Sequence, residues 1–192
     1  MILQSMVKQA KRCQSLGIGL TAMILLIGGI SIAYAATAKE IDASVDAALD
    51  RFYEQVKGAR EVGKTAKGLL VLPNVKKAAL LIGGEYGEGA LRIGGQSAGY
   101  YNIVSGSFGL QIGAESKDII LAFMTEEALN SFRASKGWEV GIDGNVAFVT
   151  VGGGDRVDTT TTKDPIVGYV FDVKGLIADI SLKGAKITRL NK

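Results

Sequence analysis

Between Thr37 and Lys57 the apolar residues recur at helical spacing. Ile41, Val45, Ala48, Leu49, Phe52 and Val56 fall on one face at intervals of three and four, which predicts an amphipathic helix. Thr37 and Glu40 stand at capping-box spacing, so the helix should start there. Its polar face is acidic: Glu40, Asp42, Asp46, Asp50 and Glu54 outnumber Lys39 and Arg51. A second short helix is expected over Ala59–Lys67. Strand patterns follow. Leu69–Leu72 is an apolar run closed by Pro73. Lys77–Gly83, Gly89–Gly94, Ala98–Val104, Ser107–Gly113 and Asp118–Met124 come at short intervals, separated by glycines read as turns. Thr125 should cap a short inserted helix over Glu126–Ala134, with Leu129 and Phe132 facing inward. Asp143-Gly144 reads as a tight turn into Val146–Val151, and Gly152–Thr162 as a loop or a Thr-rich strand. Ile166–Val173 and Gly175–Leu182 are two more strands, and Ala185–Leu190 closes the chain. The fold expected is α+β: an antiparallel β-barrel or strongly curved sheet of short Gly-rich strands. Parallel pairing is not expected, because it needs long crossovers.

The N-terminus has a different pattern. Lys8, Lys11 and Arg12 precede an uncharged, mostly apolar run from Leu16 to Ile32, and Ala33-Tyr34-Ala35 is an A-x-A site. That order predicts a secretory signal peptide over residues 1–35, cleaved before Ala36. The alternative is an uncleaved anchor, since the uncharged stretch from Cys13 to Ala38 is 26 residues long. Domain boundaries follow: 1–35 signal or anchor, 36–58 amphipathic helix, 59–192 β-rich domain. The expected location is the periplasm or cell envelope.

Charge changes once this segment is set apart. The chain has 22 basic and 19 acidic residues, and three of the basic ones precede Ala36, so the remainder carries 19 of each. A neutral body gives no case for a nucleic-acid partner. Beyond Cys13 there is no cysteine, and the chain has no histidine. That excludes disulfides, Cys/His zinc sites and His-activated nucleophiles, and leaves packing to stabilise the fold.

Ile82–Ser116 holds ten glycines in 35 residues. Its order GGEYGEGALRIGG, GYYN, SGSFGLQIGA closely resembles the core of the SYLF domain family. Gly137-Trp138-Glu139-Val140-Gly141, the Thr159–Thr162 run, KGLIADISLKGAKITRL (Lys174–Leu190) and AKGLLVLPNVKKA (Ala66–Ala78) fit the same family, so the resemblance covers Val56–Leu190. It implies a non-catalytic domain that binds anionic lipid through a basic, amphipathic N-terminal region. The residues in matching places are Lys64, Lys67, Lys76 and Lys77. Eukaryotic relatives bind actin, which is not carried over to an exported chain. No enzyme activity and no cofactor is implied.

The charge pattern agrees with that implication. Lys57–Lys77 carries six basic residues against Glu61, and Lys174–Lys192 five against Asp179, while Ala78–Val173 is net −6. If the two basic segments meet in space they form a patch suited to anionic headgroups; otherwise they are ordinary solvated faces. The alternative function is an interaction protein that binds a protein partner through its sheet surface. Other chemistry reads as structural. Glu85 and Glu88 are expected in a Gly-rich turn rather than as a glycosidase pair. Thr159–Thr162 lacks an activating base, and Asp155, Asp158 and Asp164 fit no EF-hand spacing. Of Tyr100 and Tyr101, one should be buried and the other at the surface. An outer-membrane barrel is not expected, because the strands read as short and aromatics are only 7% of the chain.

Overall fold

A computed structural model describes residues 36–79, 82–108, 113–150, 164–175, 182 and 184–192. Residues 1–35, expected as signal or anchor, the loop or Thr-rich strand expected over Gly152–Thr162 and most of the strand expected over Gly175–Leu182 lie outside these residues. The elements are α1 (Ala38–Gln55), α2 (Ala59–Thr65), β1 (Gly68–Ala79), β2 (Ile82–Ile93), β3 (Gln96–Phe108), β4 (Gly113–Phe123), α3 (Glu126–Ala134), β5 (Trp138–Glu139), β6 (Ala147–Thr150), β7 (Ile166–Lys174) and β8 (Lys186–Leu190). The eight strands form one curled, half-barrel sheet in the order β5-β8-β3-β2-β1-β4-β7-β6. Of the two forms expected, this is the strongly curved sheet, with β5 and β6 at its edges. Among the described residues no helix is long and apolar enough to cross a membrane.

Two features differ from the expectation. The β6–β7 pairing is parallel, from Ala147↔Val167 to Thr150↔Val170. Fifteen residues separate these strands along the chain, enough for the crossover that parallel pairing requires. The central strands are also longer than expected: β1 to β4 have 12, 12, 13 and 11 residues. Lys77–Gly83 straddles the β1–β2 connection, and Ser107–Gly113 straddles β3–β4. Glu85 and Glu88 lie within strand β2, not in a turn.

Pro73 does not end β1 either. The strand runs through it with a bulge: the register to β4 shifts between Leu72 and Val75, and Asn74 takes φ 48°. A proline in a central strand is tolerable at such a bulge, where a ladder bond is missing anyway. The freed Asn74 N–H donates to Asp118 Oδ1 at 2.8 Å. Asp118 is buried, and its other oxygen accepts from Arg51 of α1 at 2.6 and 2.9 Å. One carboxylate thus ties the bulge to the helix.

The curled sheet has an apolar layer on each face. On one, α1 and α2 bury Ile41, Val45, Ala48, Phe52, Val56 and Val62 against Leu69, Val71, Ile120, Tyr169 and Phe171. Phe52 meets Tyr169 edge-on with centroids 5.1 Å apart. On the other, α3 inserts Leu129 and Phe132 among Leu70, Leu91, Tyr101, Phe123 and Trp138. The helix starts obey the expected caps. Thr37 Oγ1 accepts from Glu40 N while Glu40 Oε2 accepts from Thr37 N, and Thr125 accepts from Ala128 N. Tyr101 is buried on the α3 face and Tyr100 lies half-buried on the α1 face, as strand alternation requires.

A polar latch fixes the N-terminal half of α1. Asp42 accepts from Ser97 Oγ at 2.5 Å and Tyr100 Oη at 2.9 Å, with Arg92 Nη2 at 3.5 Å. The Ser97 hydrogen bond is the largest cause holding the Asp42 carboxyl below its ordinary value, with Tyr100 and Arg92 adding to it. A carboxyl depressed in the folded state contributes stability above its unfolded pKa, and that contribution fades as pH falls through the folded value. Urea midpoints of the wild type should therefore fall from about pH 5 downward, and those of Asp42→Asn should fall less steeply. Parallel curves for the two proteins would count against the latch.

Candidate functional site

The four lysines singled out by sequence do not converge. Lys64 lies on α2 and Lys67 just after it; both are exposed, as are Lys57 and Arg60. Lys64 pairs only with Glu61, at 3.8 Å and largely in solvent, so the pair neutralises little. Lys76 is nine residues further along the chain, at the far end of β1. At strand rise that is about 30 Å from Lys67. Lys77, its neighbour, points to the opposite face. It is 7% exposed, and its Nζ lies 3.9 Å from Glu115 of β4.

Lys76 belongs instead to a row that the sheet register assembles. It stands opposite Ser116 of β4, which stands opposite Lys174 of β7. In the other direction it faces Tyr86 of β2, then Val104 of β3, then Lys186 of β8. Directly paired residues share a sheet face, so these six side chains lie on the α1 face in a line about 24 Å long. The two basic segments of the sequence therefore meet here, through Lys76, Lys174 and Lys186. Tyr86 and Val104 are each 48% exposed. Sequence reading missed these two because their facing depends on a register that glycine-rich strands conceal.

The opposite face holds a compact charge cluster. Lys117 Nζ donates to Glu85 Oε1 at 2.9 Å, with both side chains buried, and Lys77 and Glu115 stand beside them. Among the described residues Glu85 Oε2 has no hydrogen-bond partner. The cavity between these side chains is about 10 Å³, at most a single water and no substrate. Glu85 and Glu88 point to opposite faces, so they do not act as a carboxylate pair. Tyr169 is no nucleophile: burial under α1 pushes its phenol up to about 12. Thr159–Thr162, Asp155 and Asp158 lie outside the described residues.

Residues 104–192 match the family model Ysc84, described as Las17-binding protein actin regulator. This is the SYLF family that the sequence motifs resemble. Among curated proteins no match was found. The SYLF match begins inside β3 and takes in β4, α3 and β5 to β8, hence Val104, Ser116, Lys174 and Lys186 of the row. The motifs of β1 and β2 that resemble the family lie upstream of it. The family's description is that of a binding protein rather than an enzyme.

Proposed function

We propose that the chain is a non-catalytic lipid-binding module of the cell envelope, exported by residues 1–35 or tethered by them, that docks basic surfaces on anionic lipid. The observation that carries this reading is the segregation of exposed cations to the two ends of the α1 side. Lys57, Arg60, Lys64 and Lys67 gather around α2 with Glu61 as the acid of that stretch, and Lys76, Lys174 and Lys186 stand at the far end of the sheet. Each cation near an anionic surface contributes about 1 kcal/mol, so four amount to an affinity of about millimolar, enough for a protein already held at a membrane.

Flotation of the full chain tests this, with vesicles of phosphatidylglycerol in phosphatidylcholine against phosphatidylcholine alone. Binding to the anionic vesicles should exceed binding to the neutral ones. The excess should vanish as the Debye length falls from about 30 Å in about 0.01 M salt to about 3 Å in about 1 M. Equal, salt-insensitive flotation on both would assign binding to the apolar N-terminal run and overturn the reading. It would favour the alternative, a protein partner on the sheet surface. Lys77→Glu is unsuited to this test, because it puts a third carboxylate between Glu85 and Glu115.

A further inference from the structure

The row at the far end of the sheet has a composition that the α2 end lacks. Its cations flank an exposed aromatic and an exposed aliphatic side chain: Lys76 adjoins Tyr86, Val104 adjoins Lys186, and Lys174 stands two strands beyond Lys76. Just past the row, Gly84 and Gly106 are exposed and carry no side chain to hold a flat surface away. Tyrosine has an apolar ring with a polar tip, which suits the boundary between headgroups and acyl chains.

A second observation points to the same place. Lys192 Nζ donates to the carbonyl oxygen of Ala36 and lies 3.3 Å from Glu88 Oε2. Glu88 is two residues along β2 from Tyr86, on the same face, and accepts the Tyr86 hydroxyl at 2.6 Å. Ala36 therefore stands beside the row. Residues 1–35, if uncleaved, are continuous with the domain at Ala36. Cleavage before Ala36 would leave an ammonium group there, one more cation for an anionic surface.

We propose that the row Lys174, Lys76, Tyr86, Val104 and Lys186 is the surface that contacts an anionic bilayer, with the lysines at the phosphates and the Tyr86 and Val104 side chains in the interface. The proposal rests on the lipid-binding reading above and names its site. Local acids leave the cations available in part. Glu88 is satisfied by Tyr86 and Lys192. Asp172 is shared between Arg51 at 3.2 Å and Lys174 at 3.1 Å, and Glu139 stands across from Lys186. The outer face of α1 carries exposed Asp46, Asp50 and Glu54, which oppose a face-on approach. The domain must therefore meet the membrane with this end of the sheet leading.

The test uses the full chain with Cys13→Ser and a polarity-sensitive thiol dye at one new cysteine: Tyr86→Cys, Val104→Cys, Lys64→Cys on α2, or Ser131→Cys on the exposed side of α3. On phosphatidylglycerol-containing vesicles, dye at 86 and 104 should shift to the blue, and dye at 64 and 131 should not. Lys76→Glu with Lys174→Glu and Lys186→Glu should lower binding to these vesicles at least about tenfold, with circular dichroism and Trp138 emission unchanged. Anion-selective binding with a shift at 64 and none at 86 would overturn the proposal and leave the lipid reading standing. No anion-selective binding at all would remove both. A shift at 86 and 104 that rises with protein concentration and needs no vesicles would mean pairing of two copies, and also overturns it.

Discussion

Gly89→Ala is expected to leave no cooperatively folded protein. A Cβ at this position would lie 1.9 Å from Val71 O, 2.8 Å from Val71 C and 2.9 Å from Leu72 Cα. All three are backbone atoms of β1, so no rotamer change relieves the clash. Gly89 faces the α3 side at the point where the Pro73–Asn74 bulge crowds β1 onto β2. Relief would require the two central strands to part. Overpacked side chains ordinarily cost about 1–3 kcal/mol because neighbours can move. Here the neighbour is a paired strand, and the loss should exceed that range in a domain whose total stability is about 5–15 kcal/mol. Gly106→Ala is the matched control, since a Cβ there meets nothing within 4 Å. Thermal melts followed by circular dichroism should show a wild-type-like transition for Gly106→Ala and none for Gly89→Ala. A Gly89→Ala melt within a few degrees of wild type would mean that β1 and β2 do not approach as described.

The same glycine explains why strand limits were hard to read while the helices were not. The start of α1 depends on Thr37 and Glu40, three residues apart, and its buried face on a spacing visible in any window. Nothing distant is needed. In β2 the glycines look like turn residues in sequence, yet Gly87 and Gly89 are strand positions that give room to Val75 and the β1 backbone. Reading them as turns cuts long strands into short ones, and short strands are one ground on which an outer-membrane barrel is not expected. Pro73 misled in the same direction: it closes a strand unless a bulge and a buried acceptor such as Asp118 receive it. The candidate lysines show the limit most directly. Lys76 and Lys77 are adjacent, so one strand must send them to opposite faces. That became visible only when β1 was seen to run through both. The meeting of Lys76 with Lys174 and Lys186 requires the register of six strands, and charge counting along the chain cannot supply it. The Ysc84 match shares this limit, since it starts at residue 104 and leaves β1 and β2 to motif resemblance.

Lys117→Met should destabilise the protein by about 3–5 kcal/mol, because it strands Glu85 as a buried charge without its partner. Glu85 and Lys117 are 5% and 9% exposed at the side chain, so water cannot replace the 2.9 Å contact. Glu85 has one remaining cation nearby, Lys77 directly across from it on β1, and Lys77 is already drawn toward Glu115. Adding Glu85→Leu should restore most of the loss, because two apolar side chains of similar volume avoid both desolvation costs. Urea unfolding of the two single variants and the double variant measures the coupling; additive losses would show that the charges do not interact as placed. The double variant also separates stability from register. A one-residue slip of β4 would carry Lys117 to the α1 face and leave Glu85 alone, so the pair penalises that slip where glycine-rich neighbours penalise it little. A double variant that regains its stability but unfolds less cooperatively than wild type is the result expected if fixing the register is what the buried pair contributes.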